Sequence, residues 1–240
     1  MEKKTHRAIK TPRISVRVLA DYMAASEVSR RTIVRDCKYR SIARNVQHED
    51  ARLGLTTYFK GGSTGVSDLL ERADFVRGKL TDTDFEKFTN EVNADYLVRF
   101  AQVAHKVALP SADLMAARRY EPILVEGVEL KFQPELTLQR TTKTNKVRRG
   151  AIMLRYAKGK ALAPKIGCYQ SAAMLGFLAE AEKGENSEPE RGLCLTVDAY
   201  EGIVYEAPSD SISVFKNMRA ACATIAERWE KIEPPKGAVL

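Results

Sequence analysis

In the first half of the chain apolar residues recur every three to four positions, and in the second half they change to short runs and alternation. The first pattern marks amphipathic helices and the second marks strands. Ser15 stands before Val16, Leu19, Ala20 and Met23, which predicts a capped helix ending near Ser26. A second helix is expected from Glu27 to about Lys38, with Val28, Thr32 and Ile33 on one side and Arg30, Arg31, Arg35 and Lys38 over the rest. Asp50 to Tyr58 reads as helical, and Lys60 to Gly65 as a glycine-rich connector. The connector does not match a phosphate loop, because its lysine precedes the glycines and no strand leads into it. Ser67 opens a helix through about Lys79. Thr83 and Glu86 have capping-box spacing ahead of a stripe of Phe85, Phe88, Val92, Tyr96, Phe100, Val103 and Val107. Ala112 to Arg119 is expected to be a short basic helix.

Ile123 to Val128, Glu129 to Gln139, Ala151 to Tyr156, Leu193 to Ala199 and Gly202 to Glu206 have the character of strands. Ile166 to Glu182 is an apolar helix rich in small residues, and Glu182 to Arg191 reads as a surface loop. Ser209 is placed to cap a last helix that runs through Trp229 and Ile232 and stops at Pro234-Pro235. The order of elements predicts an α/β protein: a mixed sheet flanked by helices, preceded by a helical N-terminal region. The expected division is a helical region over 1–119, an α/β core over 120–233 and a tail over 234–240, together forming one compact unit.

Composition narrows the class. With 240 residues, 44% apolar and 29% charged, the chain can bury a full core. No stretch approaches the roughly 18 apolar residues of a membrane span, and no apolar signal core follows the basic start, so a cytoplasmic protein without membrane contact is expected. Cys37, Cys168, Cys194 and Cys222 lack paired metal-ligand spacing and read as buried thiols. The net charge of +8 is unevenly spread. Residues 1–60 carry fourteen Lys/Arg against six Asp/Glu, and residues 136–179 carry nine against none. Two basic blocks on an otherwise acidic chain suggest a phosphate-binding surface, with solvated helix faces as the plainer reading. The nucleic-acid candidates are Arg30, Arg31, Arg35, Lys38 and Arg44 on and after the second helix, and Arg140, Lys143, Lys146, Arg148, Arg149 and Arg155 on the later hairpin.

Other chemistry is poorly represented. His48-Glu49-Asp50 are contiguous, so on a helix they point in different directions, and no serine sits in a nucleophile elbow. The run from Val125 to Leu138, which contains Pro134-Glu135, is followed by a polar hairpin, by Gly150-Ala151-Ile152-Met153-Leu154-Arg155, and by a helix containing Tyr169-Gln170. With the entry Ser15-Val16-Arg17-Val18-Leu19-Ala20-Asp21-Tyr22, this resembles the PD-(D/E)XK nuclease superfamily in its RecB-type arrangement, over roughly residues 15–60 and 120–206.

The resemblance implies a restriction-endonuclease-like core. Its chemistry needs an acid at the start of the second core strand, and a second acid two residues before a lysine on the third, around Mg²⁺. Glu135 matches the first acid, but Met153 stands in place of the second and Arg155 in place of the lysine. A thioether is a poor ligand for Mg²⁺ and arginine does not deprotonate, so the expected site is degenerate and holds no metal or other cofactor. Gln170 fits the RecB-type pattern, whereas Met174 replaces the tyrosine expected after it. The leading expectation is a catalytically degenerate protein that binds nucleic acid, DNA before RNA. The alternative is an active Mg²⁺-dependent nuclease with relocated residues. Its catalytic pair would be Glu135 and Lys158, with Lys160 as another choice of lysine, and its metal ligands Glu129, Glu135 and Glu180. A third class is a protein-interaction or structural subunit.

Overall fold

The computed structural model describes residues 3–43, 46–61 and 65–240. Arg44 and Gly62 to Thr64 of the connector lie outside the described residues. In chain order the elements begin with strands β1 (His6–Ala8) and β2 (Arg13–Ser15), helices α1 (Val16–Ala24) and α2 (Glu27–Lys38), and strand β3 (Tyr39–Ser41). Helices α3 (Glu49–Phe59), α4 (Val66–Arg77) and α5 (Asp84–Val103) follow. Then come strands β4 (Asp113–Ala116), β5 (Ile123–Val125), β6 (Val128–Lys131), β7 (Leu136–Thr141) and β8 (Val147–Arg155). Helix α6 (Pro164–Ala181), strands β9 (Ser187–Asp198) and β10 (Ile203–Glu206) and helix α7 (Ser211–Arg228) complete the chain. The protein is mixed α/β, and no helix among the described residues is long and apolar enough to cross a membrane.

The principal sheet has the order β10-β9-β8-β7-β4. Every neighbouring pair is antiparallel except β8 and β9, which are parallel and joined through α6. Alternation along the strands divides the interior in two. Ala151 and Met153 of β8 and Cys194 of β9 point into a core shared with α1, α6 and α7. Ile152, Leu154, Leu195 and Val197 point the other way, into a core shared with α3, α4 and α5. The central strands are therefore buried on both faces and read as continuous apolar runs rather than alternating ones. A second sheet, β2-β6-β5, packs beside the first core, and β1 pairs with β3.

Local signals are realised where they were strongest. Ser15 accepts a hydrogen bond from the Val18 amide, and Thr83 and Glu86 form the reciprocal capping box. All four cysteines are free thiols, Cys194 and Cys222 buried as expected and Cys37 and Cys168 only partly so.

Several expectations need correction. Ala112 to Arg119 is not a helix: Asp113–Ala116 is an edge strand paired with β7. Glu129 to Gln139 is not one strand, because the chain leaves the ladder between Lys131 and Leu136, at Pro134. Residues 123–131 consequently form a hairpin in the smaller sheet instead of joining the principal one. Its turn is Glu126-Gly127, both with positive φ (46° and 81°), the conformation a two-residue hairpin demands. The stretch expected to be a loop, Glu182 to Arg191, is strand in its second half, since β9 starts at Ser187 and continues beside β8. The last helix starts after Asp210 rather than at Ser209.

The three sequence regions are woven together. β2 pairs with β6, β4 with β7, and the tail returns to the N-terminus, where the Thr5 and His6 amides donate to the Val239 carbonyl at 2.9 and 3.1 Å.

Gly150 lies where the β8 and β9 register shifts. A Cβ there would sit 2.2 Å from the Leu193 carbonyl oxygen and 2.3 Å from its carbon. Gly150→Ala is expected to lose about 2 kcal/mol or more of stability, because backbone must move to admit the methyl group. Urea denaturation of the variant beside the wild type measures this.

Candidate functional site

Where β7 and β8 part, Pro134 decides the local chemistry. Leu136 pairs with Ile152, so the same register carried backwards sets Pro134 opposite Leu154. Proline has no amide to donate. The Leu154 carbonyl instead accepts from Arg17 Nη2 at 2.6 Å, and the Leu154 amide donates to Glu135 Oε2 at 2.9 Å. Glu135 is anchored by its own backbone as well, its amide donating to the Ile152 carbonyl at 2.9 Å. Its other carboxylate oxygen accepts from Arg52 on α3 in a short ion pair. Two side chains thus replace the strand that proline ends.

Helix α1 presents Arg17 and Asp21, one turn apart, to the same end of β8. Asp21 accepts a forked pair of hydrogen bonds from Arg155, at 2.5 and 3.2 Å. Met153 is 4% exposed and belongs to the core facing α1 and α6. Tyr156 stacks on Tyr96 of α5 with ring centroids 3.8 Å apart, and His48 stands edge-on to both rings. His48 Nδ1 is buried and finds no hydrogen-bond partner among the described residues.

Burial governs the titration of this cluster. It pushes the Glu135 carboxyl above the usual carboxylate range, against the opposing pull of Arg52, the Leu154 amide and Arg17. Burial raises the Tyr96 phenol, and Glu135 raises it further. The His48 imidazole is lowered by burial and then by Arg52 and Arg17, which keeps it neutral at pH 7.

The carboxylates required by a relocated metal site do not meet. Glu129 on β6 pairs with Arg13 at 2.8 Å, and Glu180 near the end of α6 lies 3.4 Å from Arg219 of α7, while Glu135 is held by Arg52. Among the described residues no three His, Cys, Asp or Glu side chains are grouped to hold a metal. Around Glu135 the carboxylates are already spent on guanidinium groups, Glu135 on Arg52 and Asp21 on Arg155, and Met153 offers only a thioether, a set that does not fit a hard divalent cation. Lys158 is paired with Asp95 of α5 rather than with Glu135, and that pairing lowers the Asp95 carboxyl. Gln170 is fully buried on α6, with neither amide atom bonded to another described residue.

The hairpin cations lie at the opposite end of β7 and β8 from Glu135, and their surroundings differ from what the acid-free sequence suggested. Arg140 pairs with Glu190, Arg148 with Glu188, and Arg149 with Glu182 and Glu185. Glu182 is buried, and it also accepts from the Tyr120 hydroxyl at 2.8 Å and the Ser187 hydroxyl at 3.2 Å. Hydrogen bonds from Arg118 and Arg149 bring the Glu185 carboxyl down to about 2. Only Lys143 and Lys146, at the exposed hairpin tip, have no ion pair among the described residues.

On α2 the cations divide. Lys38 Nζ donates to the carbonyls of Trp229, Glu230 and Ile232, and Arg30 to those of Tyr22 and Met23. Both therefore act as caps on neighbouring chain ends. Arg31 and Arg35 stay on the surface.

Sequence reasoning found Glu135, Met153, Arg155 and Gln170, set His48 aside, and missed the roles of Arg17, Asp21, Arg52, Tyr96 and Tyr156. The i, i+4 spacing of Arg17 and Asp21 was the one available signal. Comparison with protein-family models and with curated proteins finds no match to the chain.

The raised Glu135 carboxyl has a testable consequence. Its protonated form favours the folded state, an advantage fully present below the ordinary glutamate value of about 4.3 and lost as pH rises through the higher value in the fold. Glu135→Gln abolishes that titration. The variant is expected to gain stability relative to wild type as pH rises across this window, read from urea midpoints between pH 3.5 and 7.

Proposed function

We propose that the protein is a nucleic-acid-binding relative of the PD-(D/E)XK nucleases that has lost hydrolysis, engages DNA in preference to RNA, and needs no metal cofactor. The observation that carries this reading is the order β4-β7-β8-β9, with α6 between the parallel pair and Glu135 directly after a proline at the head of β7. Three antiparallel strands followed by a helix and a parallel strand support the nuclease-like core that the resemblance implies, although β4 stands beside β7 where the resemblance has residues 123–131. At the two positions where such a core needs an acid and a lysine, this chain has buried Met153 and a guanidinium tied to Asp21.

Hydrolysis needs a group that can activate water, and arginine retains its proton at any working pH. What the cluster can offer a phosphodiester is positive charge. Lys160 follows β8 exposed and without an ion pair among the described residues, beside the exposed Lys158 and the 42% exposed Arg52, whose partners Asp95 and Glu135 a phosphate would have to displace. A cytoplasmic setting is part of the proposal. The second reading, a protein-interaction subunit, draws support from Phe75, Leu80 and Phe88, which are 61, 102 and 58% exposed around α4 and α5.

Fluorescence anisotropy with duplex and single-stranded DNA, titrated from low to moderate salt, tests binding. Wild type is expected to bind. Lys158→Gln with Lys160→Gln should weaken binding and reduce the slope of log K against log salt by about 0.9 on duplex DNA for each phosphate that is no longer neutralised. No binding even at low salt would transfer the support to the protein-interaction reading. Incubation of DNA with Mg²⁺ or Mn²⁺ is expected to give no cleavage. Metal-dependent cleavage that Glu135→Ala abolishes would overturn the inactive reading in favour of the nuclease.

A further inference from the structure

The groove between α2 and the end of α7 differs from the cationic surfaces at the hairpin and around Glu135. Its volume is about 540 Å³, within the range of about 300–1,000 Å³ typical of small-molecule sites. A second depression of about 260 Å³ continues it along α7, sharing Tyr22, Glu27, Arg30, Thr224 and Arg228. The floor is apolar: Tyr22, Val34 and Ile225 are buried side chains that reach the groove. The walls carry Arg30, Arg31, Arg35, Arg228 and Lys231 against only two carboxylates, Glu27 and Glu233.

These cations are poorly matched within the protein. Glu27 alone serves both Arg31 at 3.8 Å and Arg228 at 3.3 Å, through the same oxygen. Arg35 has only its sequence neighbour Asp36, at 3.6 Å, and its Nε is buried without a hydrogen-bond partner among the described residues. Lys231 has no ion pair among them. Hairpin arginines, by contrast, each meet a glutamate carboxylate.

The groove is also held in shape. Lys38 ties down three carbonyls after α7, and the Tyr39 hydroxyl donates to the Ile232 carbonyl at 2.9 Å. Those carbonyls form the negative end of a helix, and Lys38 neutralises them where they would otherwise repel an anion. A preorganised wall of this kind loses little entropy when a ligand enters.

We propose that this groove binds a phosphate monoester with an apolar or aromatic body, of about mononucleotide size. Five cations against two carboxylates leave three surplus positive charges, which a dianionic phosphate offsets more fully than a single carboxylate does. Arginine forks suit phosphate oxygens, and Arg31, Arg35 and Arg228 line the groove with no carboxylate partner nearer than 3.3 Å. An apolar floor gives a bare inorganic ion nothing to bury, so the organic part of the ligand contributes the rest. The site is separate from the cluster around Glu135 and does not depend on the nucleic-acid reading.

Isothermal titration calorimetry on the full chain at low salt tests the proposal with adenosine 5′-monophosphate, phenyl phosphate, inorganic phosphate and adenosine. At least one of the two esters is expected to bind saturably, about tenfold or more tighter than inorganic phosphate and than adenosine, as expected for charge-assisted contacts added to apolar burial. Arg35→Gln with Arg228→Gln should weaken the ester about tenfold or more, with an unchanged melting temperature reporting an intact fold. Lys143→Gln with Lys146→Gln, at the hairpin tip, should leave it unchanged. The proposal is overturned if neither ester binds, if inorganic phosphate binds as tightly as the esters, or if the groove variant retains full affinity. Should the groove variant lose only oligonucleotide binding while both esters fail, the groove belongs to nucleic acid and the small-ligand assignment is wrong.

Discussion

Pro134 removes one amide from a strand that would otherwise run on beside β8, and the Glu135 cluster is arranged around that gap. Leu154 keeps an amide and a carbonyl that need partners in a desolvated place, where an unmade hydrogen bond costs about 1–3 kcal/mol. Glu135 supplies the acceptor and Arg17 the donor. Arg17 thereby fixes how α1 meets the sheet, and the same helix face brings Asp21 to Arg155. Arg52 offsets the buried Glu135 charge and ties α3 to the opposite side. The Glu135 carboxylate substitutes for backbone, joining the two helical layers through the end of one strand.

Charge in this protein is ordered in space differently from its order in sequence. The acid-free segment 136–179 looks like a strong anion attractor until β9 lies beside β8, when Glu188 and Glu190 face Arg148 and Arg140, and Glu182 and Glu185 close around Arg149. Parallel pairing across α6 is what brings acid to base. The exposed pairs among these add little stability each, about 0–1 kcal/mol, yet they remove the local field on which a phosphate-binding surface depends. The α2 and α7 groove keeps its field because its two acids face five cations.

Function and stability share elements here. Lys38 and Arg30 cap neighbouring chain ends, so α2 is braced by two of its basic residues while two others, Arg31 and Arg35, line open space. Tyr96, His48 and Tyr156 wall the Glu135 cluster with aromatic surface, which raises the cost of ionising Glu135 and keeps His48 neutral.

The sequence by itself determined the features that depend on neighbours within a few positions. The Ser15 and Thr83 caps, the burial of Tyr96, Phe100 and Val103 on α5, the hairpin of β7 and β8 and the long helix α6 all follow from spacing, because capping and one-face burial act over a single turn or one pleat, whereas Phe88 of the same stripe is exposed. Glu135, Met153 and Arg155 were singled out by the resemblance to the nuclease core and not by spacing. Tertiary structure alone decided the split of residues 123–139 between two sheets, the strand character of Asp113–Ala116, and the choice of ionic partners. Asp113–Ala116 gains its strand bonds only from β7, and Arg17, Arg52 and Tyr96 reach Glu135 only after three separate helices have docked. Such contacts join residues 19 to 137 positions apart, and nothing in the local pattern encodes which charge will answer which.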